Sequence, residues 1–517
     1  MTVKTTSRIS SLLTLIVLLS NPAVAQTQDG KAARASDRTS AEAADRTDTD
    51  TSRKAESADK VEQLQTKVEQ LQAIIEQQQR ALAEMQKSIE ALKSPALTPA
   101  SARASLADGQ TSTPVETAQA NKGAAPAATQ KGGEKSGLMA GWDKAHAVLR
   151  SSDGRFETNI AGYAQLDHRG YQSGNHPANT FLIRRARLGI EGKLERYFDF
   201  KLEGDFSDTT STILRDFFIN IHRIDEVQVR FGHFKEPFSQ DELRTDSWLD
   251  FVEPALVNNL VPSRSPGLMV SGVIDKGVFE YQAGMFNAKG QLVSNNNATP
   301  EGVVRLRFNP WKHSQSFLWK GFIFGGAYAQ GRNVGGLSVR GLTESRSFIF
   351  YTPETINGKV TRANGEFTWL LGPATIRAEY DQTSQSRDNL GAGGTNLPGV
   401  VGKGYMGAVT YMLTGETKPE NGPMAPRHSL FGEENGGGKS GFGAWELKFR
   451  YSNLQIANGT AKANRAETFY FGPNWYMNRF VKYNLDLGFE RYKDPLRSPK
   501  PGDKNFFVIL SRIQFAF

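Results

Sequence analysis

The chain of 517 residues contains no cysteine. Disulfide stapling and thiolate metal ligation are therefore excluded, although secreted chains often use one or the other. Long apolar runs are missing as well. No stretch reaches the about 18 apolar residues that a membrane-crossing helix needs. Aromatic residues are missing from the first 150 positions except for Trp142, whereas all 31 Phe and 14 Tyr come later. Catalytic signatures are absent: there is no G-x-S-x-G, no H-E-x-x-H and no P-loop. The seven His are scattered without metal-ligand spacing, so no catalytic residue, metal or cofactor is expected. The net charge of +8 is a modest excess and is not gathered into one stripe, which argues against a nucleic-acid partner.

What is present begins with a targeting segment. Lys4 and Arg8 precede a short apolar core from Ile9 to Leu19, and Ala23-Val24-Ala25 follows as a cleavage site. This predicts a signal peptide over residues 1–25, so the chain leaves the cytoplasm. Residues 26–58 are too polar to bury a core and are expected to be disordered. Residues 59–93 follow a heptad whose a and d positions include Val61, Leu64, Val68, Leu71, Ile75, Leu82, Met85, Ile89 and Leu92, with Gln78 alone breaking the seam. The pattern predicts a self-associating coiled coil of roughly 50 Å. Residues 94–150 read as a flexible linker rich in Ala, Pro, Thr, Ser and Gly.

From about residue 151 the text turns to period-2 alternation. In 199–206, Phe200, Leu202 and Phe206 oppose Asp199, Lys201, Glu203 and Asp205. In 446–451, Leu447, Phe449 and Tyr451 oppose Glu446, Lys448 and Arg450. Charge facing apolar side chains, strand after strand, fits a wet lumen and a lipid-facing wall better than a dry core. With no helix to span a bilayer, a closed barrel is the remaining way to cross one. The expected fold is an all-β transmembrane barrel of about 16 antiparallel strands over 151–517, preceded by the coiled-coil helix, with an aqueous channel inside. The segment 343–351 reads as part of a long loop rather than a further strand. Short turns are expected at one end of the barrel and long loops at the other. The last strand, 505–517, places Phe507, Ile509, Ile513, Phe515 and Phe517 toward lipid and Arg512 and Gln514 toward the lumen. It closes against the strand near 156–167 and ends on an aromatic residue of the kind that marks outer-membrane barrels.

The polar strand faces carry candidate pore-lining bases: Arg185, Arg187, Arg230, Arg305, Arg307, Arg377, Lys448 and Arg450. Basic rings steer anions through a pore. Glu203, Asp205, Asp216, Glu379 and Glu446 share those faces, so the same charges can simply keep the lumen wet and brace the wall. Arg184 falls in the opposite phase and is expected at a rim or subunit contact. After the fifth strand, Ser239 and Glu242 form a capping box, and Leu243, Trp248, Leu249 and Val252 follow at partly helical spacing up to Pro254. This predicts a short helix in a loop that either folds into the lumen or stays outside. Its charges are Asp241, Glu242, Asp246, Asp250 and Glu253 against Arg244.

With these segments placed, the later part of the chain resembles the phosphate-selective porin O and P family. The matching stretches are Phe181-Leu182-Ile183-Arg184-Arg185-Ala186-Arg187-Leu188-Gly189, Phe231-Gly232-His233-Phe234-Lys235-Glu236-Pro237-Phe238, Gly443-Ala444-Trp445-Glu446-Leu447-Lys448-Phe449-Arg450-Tyr451 and Gly472-Pro473-Asn474-Trp475-Tyr476. The resemblance implies a trimeric outer-membrane porin with an inward-folded third loop, bedded in outer-membrane lipid and passing small inorganic or organic ions. It also implies that the tandem Arg184 and Arg185 and the lumen acid Asp216 persist. Tyr163 and Glu242 stand where phosphate-binding members carry basic residues, which argues against tight phosphate selectivity. The expected function is passive diffusion of small hydrophilic solutes, including anions such as phosphate. The alternatives are a structural or adhesion barrel tethered to the cell wall or a partner through a periplasmic coiled coil, and an enzyme barrel.

Overall fold

The computed structural model describes residues 137–517, apart from 144–145, 173–177, 208–212, 288–299, 433–439, 460–463 and 495–497. The expected signal peptide, polar segment and coiled coil lie outside the described residues. The chain enters through a hairpin, β1 (Leu138–Asp143) and β2 (His146–Ser151). It continues through β3 (Glu157–Tyr171), β4 (Thr180–Leu194), β5 (Phe198–Asp205), β6 (Leu214–Ile224), β7 (Val227–Lys235), β8 (Arg264–Ile274), β9 (Phe279–Phe286), β10 (Glu301–Phe308) and β11 (Phe322–Leu337). A small sheet of β12 (Gly341–Leu342) and β13 (Ile349–Tyr351) sits within the next connection, in the segment read as a loop. The wall resumes with β14 (Thr355–Leu371), β15 (Ala374–Arg387), β16 (Leu397–Met412), β17 (Ala444–Ala457), β18 (Asn464–Tyr476), β19 (Val481–Tyr492) and β20 (Asn505–Ala516).

Each wall strand pairs antiparallel with the next, and β20 pairs with β3 from Val508↔Tyr171 to Ala516↔Tyr163. The main sheet has 18 strands, and setting β1 and β2 aside leaves a closed ring of 16. Closure removes the unpaired edge that an open sheet would expose. Phe517 remains in the ladder, exchanging two main-chain hydrogen bonds of 2.9 Å with Gly162. Below that point β2 takes over the same edge of β3, pairing Ala147↔Ile160 through Arg150↔Glu157. Residues 138–143 and 146–151, almost wholly within the segment expected to be linker, thus form two paired strands, the second of them on the edge of β3.

The two faces follow the alternation. Leu188, Leu202, Phe231, Leu268, Val304, Phe449, Phe489 and Ile513 point outward and are exposed. Arg185, Arg187, Glu203, Arg305, Glu446, Lys448 and Arg512 are buried inside the ring. Outward apolar side chains on strands of this length suit a lipid bilayer. The lumen is not uniformly polar, however. Along β20 the inward residues Phe506, Val508 and Leu510 are buried and apolar, and only Arg512 and Gln514 are polar. They join Ile356, Val360, Leu454, Ile456 and Tyr470 in a core that fills one side of the barrel. The polar-inside expectation misses this core, which exists because loops pack there.

The connections are also less one-sided than expected. At the end of the barrel that holds Phe517, called the turn end, most links are short, but β16 and β17 are joined by residues 413–443. The opposite, loop end carries the connection 236–263 and the segment holding β12 and β13.

The closing seam is braced by charge. Arg512 and Asp167 are register partners, and the guanidinium donates to both carboxylate oxygens at 2.6 and 2.9 Å. Arg169 adds a third bond at 3.0 Å to Asp167, which is fully buried. Breaking one half of a buried pair costs about 3–5 kcal/mol. Arg512→Met is expected to lose the lower part of that range, because Arg169 remains. The loss would be read as a lower urea midpoint for the heat-modifiable band on gels. Asp167→Leu added to Arg512→Met should recover part of it, and no recovery would mean that the pair is not the brace.

Candidate lumen constriction

The connection 236–263 folds into the barrel. It starts with one helical turn, α1 (Gln240–Leu243), capped by Ser239, whose hydroxyl accepts from the Glu242 main chain at 3.2 Å. Half of the expected capping box is therefore present. The Glu242 carboxylate turns the other way and accepts from Asn258 at 3.1 Å and Ser263 at 2.9 Å. The chain then extends through the short 3-10 turns Asp246–Trp248 and Leu256–Asn259. Leu249, Val252, Leu256 and Leu260 are almost fully buried, so the loop lies inside the ring and not on an outer surface.

Three carboxylates anchor the loop inside the ring. Asp246 meets Arg185 at 3.1 Å and Arg187 at 2.8 Å, both on β4. Asp250 meets Arg244 at 3.2 Å, Lys418, and Arg377 at 4.0 Å. Glu253 meets Arg169 at 2.5 Å, Arg184 at 2.6 Å and Arg512 at 3.5 Å. The loop main chain is satisfied by side chains from the opposite wall. Lys448, Asn474 and Asn484 donate to the Asp250 carbonyl at 2.8, 2.9 and 3.2 Å. Arg450 donates to the Glu253 carbonyl at 2.8 Å and lies 4.1 Å over the Phe251 ring. Such buried main-chain groups need partners, and here the wall provides them.

Arg184 is not at a rim. The β3–β4 register steps from Gln165↔Arg185 to Leu166↔Ile183, so Arg184 is an extra residue in a β-bulge. A bulge re-aims the side chain, and both tandem arginines reach the inward loop. Strict alternation in the sequence could not reveal this.

The remaining wall bases brace neighbouring strands. Arg305 meets Glu366 at 2.6 Å and Arg307 meets it at 3.2 Å, reaching across β11. Gly325 on β11 leaves room for this: a Cβ there would sit 3.0 Å from Arg307 Cγ. Lys448 pairs with Asp486 at 2.6 Å, and Asp216 with Arg264 at 2.8 Å. Asp241 accepts from the Ala255 main chain at 3.1 Å, and its own N–H donates to Glu379 at 3.2 Å. Arg230 stands apart from these pairs.

Sequence reasoning missed a second inward element. The part of the β16–β17 connection just after β16 sends Lys418 up from the turn end, where its ammonium is buried between Asp250 and Glu446, 2.5 Å from the latter. Glu420 follows, bonding Arg307 through its carboxylate and Arg377 through its carbonyl at 3.0 Å. The available signal was the length of the gap between the strands at 403–413 and 443–455.

The match of this barrel to known proteins covers the same residues. The family model described as phosphate-selective porin O and P matches residues 156–517. The chain belongs to that family. Porin O of Pseudomonas aeruginosa is 20% identical over 414 residues, 71% of this chain and 90% of that protein. Among solved structures, the trimer form of OmpT from Vibrio cholerae aligns with a TM-score of 0.46 and 11% identity, covering 70% of this chain and 99% of that one. An anion-selective porin from Comamonas acidovorans aligns with a TM-score of 0.43 and 12% identity, covering 70% and 99%. As a member of the porin O and P family, the protein is an outer-membrane channel.

Charge holds the constriction of this porin against acid. Burial alone would raise the three loop carboxyls. Arg185 and Arg187 around Asp246, Arg244 and Lys418 around Asp250, and Arg184 and Arg169 around Glu253 outweigh it and hold all three well below the usual carboxylate range. Groups with depressed values lose their stabilising contribution only as pH falls through those low values. Single-channel conductance is thus expected to stay level from neutral pH down to about 4. Asp250→Asn should produce a larger or noisier open state at neutral pH. A conductance step between about pH 6 and 5 would mean that other groups hold the loop.

Proposed function

We propose that this porin is a passive, homotrimeric channel for small hydrophilic solutes, including anions such as phosphate, without tight selection for phosphate and without a chemical step. In this reading residues 1–25 are removed, the loop end faces the cell exterior, and the coiled coil lies in the periplasm. One observation carries the solute assignment: the arginines that could grip a dehydrated phosphate at the constriction are already neutralised. Arg184 is bound to Glu253, and Arg185 and Arg187 are bound to Asp246. Tyr163 packs beside Arg187, 5.5 Å from its guanidinium carbon, and adds no positive charge. Glu242 adds a negative one.

The alternative reading is a structural or adhesion barrel tethered to the cell wall or a partner through its N-terminal extension. Its support is the β1–β2 hairpin, which joins the extension to the wall through β3, beside the closing seam.

Planar-bilayer recording of the refolded chain tests the channel. Steady conductance in potassium chloride, with chloride current persisting when phosphate is added, is expected. No conductance, or block by trace phosphate, would sink the proposal. Glu242→Lys should raise the anion-to-cation permeability ratio, and an unchanged ratio would remove Glu242 from any part in selectivity. Deleting residues 26–135 is expected to leave conductance intact and weaken the cell envelope; an envelope of normal strength would count against tethering.

A further inference from the structure

Arg230 on β7 differs from the other arginines of its side of the lumen. Arg169, Arg184, Arg185, Arg187, Arg264 and Arg305 each have a carboxylate within reach. Among the described residues, Arg230 has neither an ion pair nor a hydrogen bond to the protein, and its Nε is buried without a partner. Two rings hold the guanidinium instead: its central carbon lies 4.3 Å from the Phe218 ring centre and 5.5 Å from that of Phe234. Aromatic faces hold and orient a guanidinium while leaving its in-plane donors free.

Arg230 borders a cavity of about 290 Å³ between β4–β9 and the first half of the inward loop. That is near the small end of the roughly 300–1,000 Å³ usual for ligand pockets. Arg230 is not its only base without a carboxylate partner. Lys235 donates to the main-chain oxygens of Glu242 and of Arg244, the latter at 2.8 Å, and forms no ion pair among the described residues. The three acids of the cavity are engaged elsewhere: Asp216 by Arg264 at 2.8 Å, and Glu203 and Glu191 by Lys201 at 3.2 and 3.4 Å. The rest of the lining includes the apolar Leu243, Phe218, Phe234 and Met269. The cavity thus combines spare positive charge, a forked donor aligned by two rings, and an apolar patch of four side chains among mostly polar walls.

We propose that this cavity is an off-axis binding site for small organic carboxylates carried on an apolar body. Arg230 grips the carboxylate through its fork, Lys235 adds charge, and the apolar lining receives the body. A guanidinium matches a carboxylate in plane and is weakly hydrated itself. Inorganic phosphate, strongly hydrated on every side, has no body for the apolar patch to receive and gains only from the fork and the neighbouring charge. The inference rests on the reading of the lumen as an aqueous path that solutes can enter.

Calorimetric titration of the refolded full chain in detergent tests it, using benzoate, inorganic phosphate and benzyl alcohol as probes, with conductance measured on the same preparation. Saturable benzoate binding is expected, with phosphate about tenfold weaker or more and benzyl alcohol without measurable binding. Arg230→Gln should weaken benzoate by about tenfold, the scale of one charge-assisted hydrogen bond. Phosphate binding as tight as benzoate, or equal benzoate binding by Arg230→Gln and the unaltered chain, would overturn the site. No saturable benzoate binding by a chain that conducts potassium chloride would also overturn it and leave the channel reading in place. Benzoate binding by a chain that passes no current would support the site and remove the channel reading. The ligand series on the unaltered chain needs no variant, and it decides the matter where Arg230→Gln fails to fold.

Discussion

An acidic loop held against a basic wall, inside a ring too narrow to leave either charge in bulk water, is the constraint on which the interior depends. Moving a charge out of water costs several kcal/mol unless a well-placed partner offsets it. Asp246, Asp250 and Glu253 meet that condition together, each with at least two cations. The loop between them can then present its carbonyls to Lys448, Asn474 and Arg450 and its apolar side chains to the opposite wall. Losing any one cluster would leave buried charge and unsatisfied main chain at once.

The same constraint shapes the permeation path. Because the loop and its apolar core occupy one side of the ring, the lumen is asymmetric. The β4–β8 side retains bases and cavities, while β20 and its neighbours present Phe506, Val508 and Leu510 to packed protein. Lys418 and Glu420 reach the same charge network from the turn end. Two segments far apart in sequence therefore share one electrostatic junction at Asp250. Most wall arginines are structural in this arrangement: Arg305 and Arg307 tie β10 to β14 through Glu366. Formal charge along the lumen is thus a poor guide to which groups meet a solute, and pairing decides it.

Much of this was legible in the residues. Period-2 alternation identifies the strands, because a side chain in a pleated strand must choose one face. The same alternation with charge on one face predicts a wet interior and a lipid-facing exterior, and the closing position of 505–517 follows from its phase. Ser239 and Glu242 mark the start of the loop helix. Three features were not legible. Arg184 turns inward through a bulge, which alternation cannot register. Phe506, Val508 and Leu510 face inward because loops pack there, and a strand pattern carries no information about distant loops. Lys418 joins Asp250 across a separation of 168 residues, which no local spacing encodes.

The sequence alone determined that any membrane crossing is made by strands and, bulges apart, which residues of each strand point outward. Those properties are local, set by period, run length and polarity. Only the tertiary structure decided which lumen charges cancel, which side of the ring is filled, and that Arg230 meets no carboxylate among the described residues. Such properties depend on which side chains meet inside the closed ring, and the meeting partners come from strands and loops that the linear pattern does not place together.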